Sequence, residues 1–138
     1  MNHYQVLANC PEEQVCRLAE MVLQKYSGSD VKLLSGPRCG LVMLRVRETV
    51  ANSLFNAGEI LVTEVKLELD GQFGFGMVIG DSPRRAMAVA LVDAALRKDE
   101  EATSLLHGEL AQLAHELQQE HQRAYQLAAT TKVDFEVI

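Results

Sequence analysis

The sequence predicts an α+β fold, and three observations carry that expectation. The middle of the chain alternates apolar and polar residues with a period of two on both sides of Asp70-Gly71. Stretches before and after it carry apolar residues at helical spacing. Strands and helices therefore fall in separate runs, as in an antiparallel sheet packed with helices. We expect one domain over residues 1–138: an antiparallel meander, about three helices of which the last is long, and a short closing strand.

The first helix is expected to begin near Pro11. Asn9 or Cys10 precedes it, proline suits the first helical position, and Glu12 and Glu13 favour the positive end of the dipole. Val15, Leu18, Ala19 and Val22 form one apolar face, and Ser27-Gly28-Ser29-Asp30 ends the helix. Residues 31–34 read as a short strand stopped by Ser35-Gly36-Pro37. Residues 41–47 read as a second strand, with Arg45 and Arg47 on one side and Leu44 and Val46 on the other. The clearest strand is 59–69, where Leu61, Thr63, Val65, Leu67 and Leu69 line one face and Glu64, Lys66 and Glu68 the other. Asp70-Gly71 predicts a tight hairpin, because both central positions of such a turn favour residues that tolerate positive φ. The return strand, 72–79, puts Phe73, Phe75, Met77 and Ile79 on one face and Gly74 and Gly76 on the other.

Ser82-Pro83 opens the second helix, with Ser82 as N-cap. Residues 86–96 are apolar almost all round, apart from Asp93, so this helix is expected to be buried on several sides. A polar break at 98–101 leads to a long helix from about 102 to 128. Its Leu106, Leu110, Leu113, Leu117, Glu120, Ala124 and Leu127 form a heptad seam broken once, by Glu120. Residues 133–138 alternate like a strand.

Composition narrows the function. The 138 residues are 48% apolar, enough for one core, and with no Trp and 5% aromatics that core must be aliphatic. A net charge of −6 opposes a nucleic-acid partner, although Arg38, Arg45, Arg47, Arg84 and Arg85 could still cluster. No apolar run reaches the length of a membrane span, and the N-terminus has no basic segment followed by an apolar one. Cys10, Cys16 and Cys39 are an odd set at irregular spacing, which reads as reduced thiols. Together these predict a cytoplasmic protein.

Several segments could carry chemistry. Gly74-Phe75-Gly76 and Gly80 resemble a nucleotide fingerprint only in composition, since they lie inside a strand, where glycine more simply permits close backbone approach. Gly80-Asp81-Ser82-Pro83 could bind an anion, but Asp81 would repel it and a plain helix cap suffices. Ser35-Gly36-Pro37-Arg38-Cys39-Gly40 offers a cation and a thiol, against a simple strand-connecting turn. His107, His115 and His121 are eight and six residues apart, not the four that a helical zinc pair requires. Asp93, alone in an apolar run, needs a partner; it could be an acid or base, or a structural anchor. No nucleophile, base and orienter assemble, so we expect no catalytic residue and no metal site. The leucine seam and the closing strand are surfaces, which either pack within the domain or find a partner chain.

Four stretches together resemble the PhnG family, the G subunits of the carbon–phosphorus lyase core complex. They are Gly40-Leu41-Val42-Met43-Leu44-Arg45-Val46-Arg47-Glu48-Thr49; Phe55-Asn56-Ala57-Gly58-Glu59-Ile60-Leu61-Val62-Thr63-Glu64-Val65; Gly74-Phe75-Gly76-Met77-Val78-Ile79-Gly80-Asp81 running into Leu91-Val92-Asp93-Ala94-Ala95; and Lys132-Val133-Asp134-Phe135. The resemblance implies a role in phosphonate breakdown beside the H, I, J and L subunits. There the phosphonate displaces adenine from ATP to give a ribose 1-phosphonate 5-triphosphate, and a radical iron–sulfur subunit later cleaves the carbon–phosphorus bond. It implies a non-catalytic subunit that braces the I subunit, binds no cofactor itself and leaves the iron–sulfur cluster to the J subunit. Under that reading Leu106, Leu110, Leu113, Leu117, Val133 and Phe135 are interface candidates, and the isolated chain exposes apolar surface or self-associates. The alternative is a subunit whose Arg45 and Arg47, helped by Arg38, hold phosphate in a composite site.

Overall fold

A computed structural model describes residues 3–26, 30–98 and 104–130. Those residues form α1 (His3–Asn9), α2 (Glu12–Leu23), β1 (Val31–Arg47), β2 (Leu54–Leu69), β3 (Gln72–Ile79), α3 (Pro83–Lys98) and α4 (Ser104–Thr130). The strands make one antiparallel sheet in the order β1-β2-β3, so the fold is the expected α+β mix with a long last helix.

The sheet is organised by the β2–β3 hairpin. Asp70 and Gly71 both take positive φ, 48° and 82°, the mirror-image turn whose twist suits paired strands. Lys98 Nζ donates to Asp70 Oδ2 at 2.6 Å and fastens the end of α3 to this turn. Thr63, Val65, Leu67 and Leu69 are buried on the helix side, as their alternation predicts. Leu61, on the same face, is 42% exposed, because β3 pairs with β2 only from Val62 onward.

α3 lies against that face. Its small residues let it come unusually close: a Cβ at Gly74 would stand 2.4 Å from the Ala90 carbonyl oxygen, and one at Gly76 would stand 2.2 Å from that of Ala86. The two glycines thus form a track for the helix rather than a phosphate loop. α2 covers the other side of α3 with Val15, Cys16, Leu18, Ala19 and Val22, and α1 adds Val6 and Leu7. This double cover explains why nearly every residue from 86 to 96 is buried.

The structure departs from expectation at four places. α1 was not foreseen. Pro11 is the N-cap of α2 rather than its first residue, and the Gln14 and Val15 amides bond back to its carbonyl. Ser35-Gly36-Pro37 does not stop a strand: β1 runs through it, with register shifts between Leu33 and Ser35 and between Ser35 and Arg38 that absorb the interruption. An edge strand tolerates this, since proline's missing N–H faces no ladder partner. Finally, β2 begins at Leu54, five residues before the predicted start, through a shift opposite Leu44/Arg45. The expected stop at Ser27–Ser29, the break at 99–101 and the closing strand at 133–138 lie outside the described residues. No helix among the described residues is long and apolar enough to cross a membrane.

Candidate functional site

The described residues bring polar chemistry together at Asp93. Its side chain is fully buried, and the apolar run around it supplies no partner on α3 until Arg97. Oδ2 accepts from the Phe75 amide at 2.9 Å, the Tyr4 hydroxyl at 2.8 Å and Arg97 Nε at 3.0 Å; Oδ1 lies 2.9 Å from His3 Nε2. Arg97 also donates to the Tyr4 hydroxyl at 2.9 Å and lies over the Tyr4 and Phe73 rings. One carboxylate therefore joins α1, β3 and α3. A buried charge needs this degree of satisfaction to be tolerated. Oδ2 takes three of these bonds and Oδ1 one, and every partner belongs to the fold itself, so the carboxylate serves as a structural anchor.

Burial, followed by the hydrogen bond to Asp93, raises the Tyr4 phenol above its usual 10.0. A raised phenol stabilises the fold fully below pH 10 and loses that contribution as pH climbs through the folded value, because the unfolded chain releases the proton first. We expect thermal stability to fall above pH 10, and Tyr4→Phe to flatten that fall while costing about 1 kcal/mol at neutral pH. Melting curves across alkaline pH check both.

The second feature is an arm. Beyond the reach of β3, residues 54–60 of β2 pair with β1 alone, and the Leu61 carbonyl accepts from the Gly80 amide at 2.8 Å. Every residue from Pro37 to Arg47 and from Leu54 to Glu59 is exposed. The register sets Val42 beside Ile60, Leu44 beside Gly58 and Val46 beside Phe55, so one face of this ribbon is apolar. The other continues the side on which α3 sits, and there Arg45 stands beside Asn56 and Arg47 beside Leu54. Arg47 donates to the Asn52 carbonyl and side-chain oxygens at 3.3 and 3.0 Å, which ties the tip loop. Arg38 points to the opposite face, where it pairs with Glu64 at 2.6 Å. The structure thus brings Arg45 and Arg47 together, as their spacing predicts, but not Arg38 with them.

The remaining candidates have plain structural roles. Thr63 Oγ1 accepts from the Ser82 amide and donates to the Gly80 carbonyl, so the mouth of α3 is already capped. Cys39 lies on the strand surface beside Thr63 and Asp81, with no histidine among its partners. His107, His115 and His121 are exposed along α4, and the described residues contain no cluster of three or more potential metal ligands.

Leu106, Leu110, Leu113 and Leu117 are buried at 5–9% exposure within the chain's own core. The half of the seam after Glu120 is different: Ala124 and Leu127 are exposed, Leu127 to 68%, as is the neighbouring Tyr125. Internal packing therefore takes the first four leucines and leaves the last turns of α4 bare. Val133 and Phe135 lie outside the described residues.

Sequence reasoning missed His3, Tyr4 and Arg97 as partners of Asp93, and it missed that the Val- and Leu-rich strand is uncovered. The consecutive apolar residues Leu41 to Leu44 were the available signal for the arm, since they break the alternation of a strand with one wet face.

The family model described as "Phosphonate metabolism protein PhnG" matches residues 1–138. A relative from Rhizobium meliloti (strain 1021), "Alpha-D-ribose 1-methylphosphonate 5-triphosphate synthase subunit PhnG", is 33% identical over 109 residues. The match covers 77% of this chain and 68% of that protein.

Proposed function

The chain belongs to the PhnG family of phosphonate metabolism proteins, and on that premise we propose that it is an accessory subunit of an alpha-D-ribose 1-methylphosphonate 5-triphosphate synthase. It braces the I subunit within a cytoplasmic core complex and acts with the H, J and L subunits. The chemistry and the iron–sulfur cluster reside in those partners.

The observation that carries this reading is the bare arm. A two-stranded ribbon is marginal in water unless something covers it. This one exposes Leu41, Leu44, Leu54 and Phe55 to 45–64%. A surface of that kind is characteristic of a docking element.

Charged substitutions on the apolar face test it. Leu44→Asp with Phe55→Asp is expected to abolish co-purification with the other synthase subunits while the isolated chain keeps its melting temperature, because neither side chain enters the core. Retained co-purification contradicts the proposal. Arg45→Ala separates the composite-site alternative: lower turnover in an intact assembly would make Arg45 a substrate ligand, whereas unchanged turnover leaves the arm as a docking element alone.

A further inference from the structure

The outer edge of β1 is open to strand addition, and we infer that its occupant is an extended segment of another synthase subunit, with carboxylates at alternate positions and apolar residues between them. The inference rests on the subunit assignment and names the contact by which the arm docks. The strand order leaves β1 at one edge of the sheet and β3 at the other. The β3 edge is closed at its middle. There the Phe75 amide donates to Asp93 at 2.9 Å, and the Tyr4 hydroxyl sits 3.4 Å from the Phe75 carbonyl oxygen. On β1, residues 38–47 are all exposed, and among the described residues no strand pairs with their outer side.

Backbone bonds fix which way the β1 groups point. The Leu61 carbonyl accepts from the Gly80 amide, so Leu61 turns its backbone groups away from β1. Its partner Leu41 is then in a non-hydrogen-bonded pair, with its own amide and carbonyl facing outward. At the tip of the arm, Glu48 donates its amide to the Ser53 carbonyl, which turns Glu48 inward. The period of two between these points is unbroken on β1, because the register shift at Leu44/Arg45 puts the extra residue, Ala57, on β2. Cys39, Leu41, Met43, Arg45 and Arg47 therefore all present an amide and a carbonyl to the open edge. Such a row is a template for another strand, which takes its affinity from main-chain hydrogen bonds and its specificity from alternate side chains.

The side chains select the occupant. Arg45 and Arg47 share the face on which α3 sits, and Leu44 and Val46 share the other. Arg45 forms no ion pair among the described residues, although Glu59 lies on the same face beside Met43. Arg47 holds only the tip loop, through the Asn52 oxygens. An added strand with carboxylates two residues apart meets both guanidinium groups, and the apolar residue between them lies beside Val46. The β1 edge of a second copy fits badly, since residues 38–47 contain no Asp or Glu to answer Arg45.

A dilution series of the complete synthase assembly, read by light scattering, tests the edge. Met43→Pro removes one outward amide and no bond to β2, whereas Met43→Ala shortens the side chain and keeps that amide. Relative to Met43→Ala, Met43→Pro should weaken assembly at least about tenfold, with the melting temperature of the isolated chain unchanged. Arg45→Glu should weaken it similarly, and Arg45→Lys much less. Amide exchange on the wild-type assembly gives a reading that needs no variant. Cys39, Leu41, Met43, Arg45 and Arg47 should exchange freely in the isolated chain and become protected in the assembly. Met43→Pro that assembles like Met43→Ala, Arg45→Glu that assembles like wild type, or outward amides left unprotected in the assembly overturns the inference, while an arm that docks by its apolar face still stands. A wild-type chain that never joins the assembly overturns the subunit assignment and the inference together. Protection of the same amides already in the isolated chain would give the edge to a copy of this chain or to its own remaining residues, and overturns the inference as well.

Discussion

Replacing Gly76 with alanine is expected to lift α3 from the sheet and cost about 3 kcal/mol, the upper end of what overpacking imposes. The added methyl would lie 2.2 Å from the Ala86 carbonyl oxygen, 2.8 Å from the Ala90 nitrogen and 3.2 Å from the Ala90 Cβ. Two of these are backbone atoms within α3, so no rotamer change relieves the clash and the helix itself must move. Gly74→Ala meets the same obstacle at the Ala90 carbonyl and the Ala94 methyl. Against a total stability of roughly 5–15 kcal/mol, such a loss is large. The control is Gly40→Ala on the arm, where a Cβ meets nothing within 4 Å. It should shift stability by no more than about 0.5 kcal/mol. Urea midpoints for the three variants decide the point, and a Gly76→Ala midpoint equal to that of Gly40→Ala would show that α3 does not ride on the glycine track.

Asp93→Ala is expected to cost about 3–5 kcal/mol, the range for breaking a buried charge pair by removing one partner. Arg97 is 40% exposed and can rehydrate, so the figure should fall toward the lower end. The Phe75 amide and the Tyr4 hydroxyl are the groups that lose their acceptor outright. Asp93→Asn keeps one acceptor oxygen and should lose less. Both variants should release α1 before the rest of the domain, because His3 and Tyr4 hold that helix to Asp93. Amide exchange over residues 3–9 measures this directly; protection that falls only with global unfolding would contradict it.

α1 also shows where the sequence stopped being legible. A seven-residue helix has little stability of its own, and its holding group lies about ninety residues away along the chain. No local pattern records such a dependence. The β2–β3 hairpin was legible for the opposite reason: Asp70-Gly71 and the alternation around it are local chemistry. The burial of 86–96 followed from its lack of a polar face, and the need for partners at Asp93 followed from its isolation there. Gly36-Pro37 misled because proline usually ends a strand, whereas an edge strand with register shifts accommodates it. Of the candidate surface, the shared face of Arg45 and Arg47 could be read from a period of two. That the strand behind them carries no cover could not, since exposure depends on where β3 ends rather than on anything within residues 41–47.

The central claim is that this domain works by docking, through an arm left bare for a partner. Co-expression with the remaining synthase subunits, followed by size-exclusion chromatography with light scattering, tests it most directly. The account predicts co-elution at a fixed stoichiometry that Leu44→Asp with Phe55→Asp abolishes. Folded subunits that migrate separately from a folded wild-type chain would contradict it.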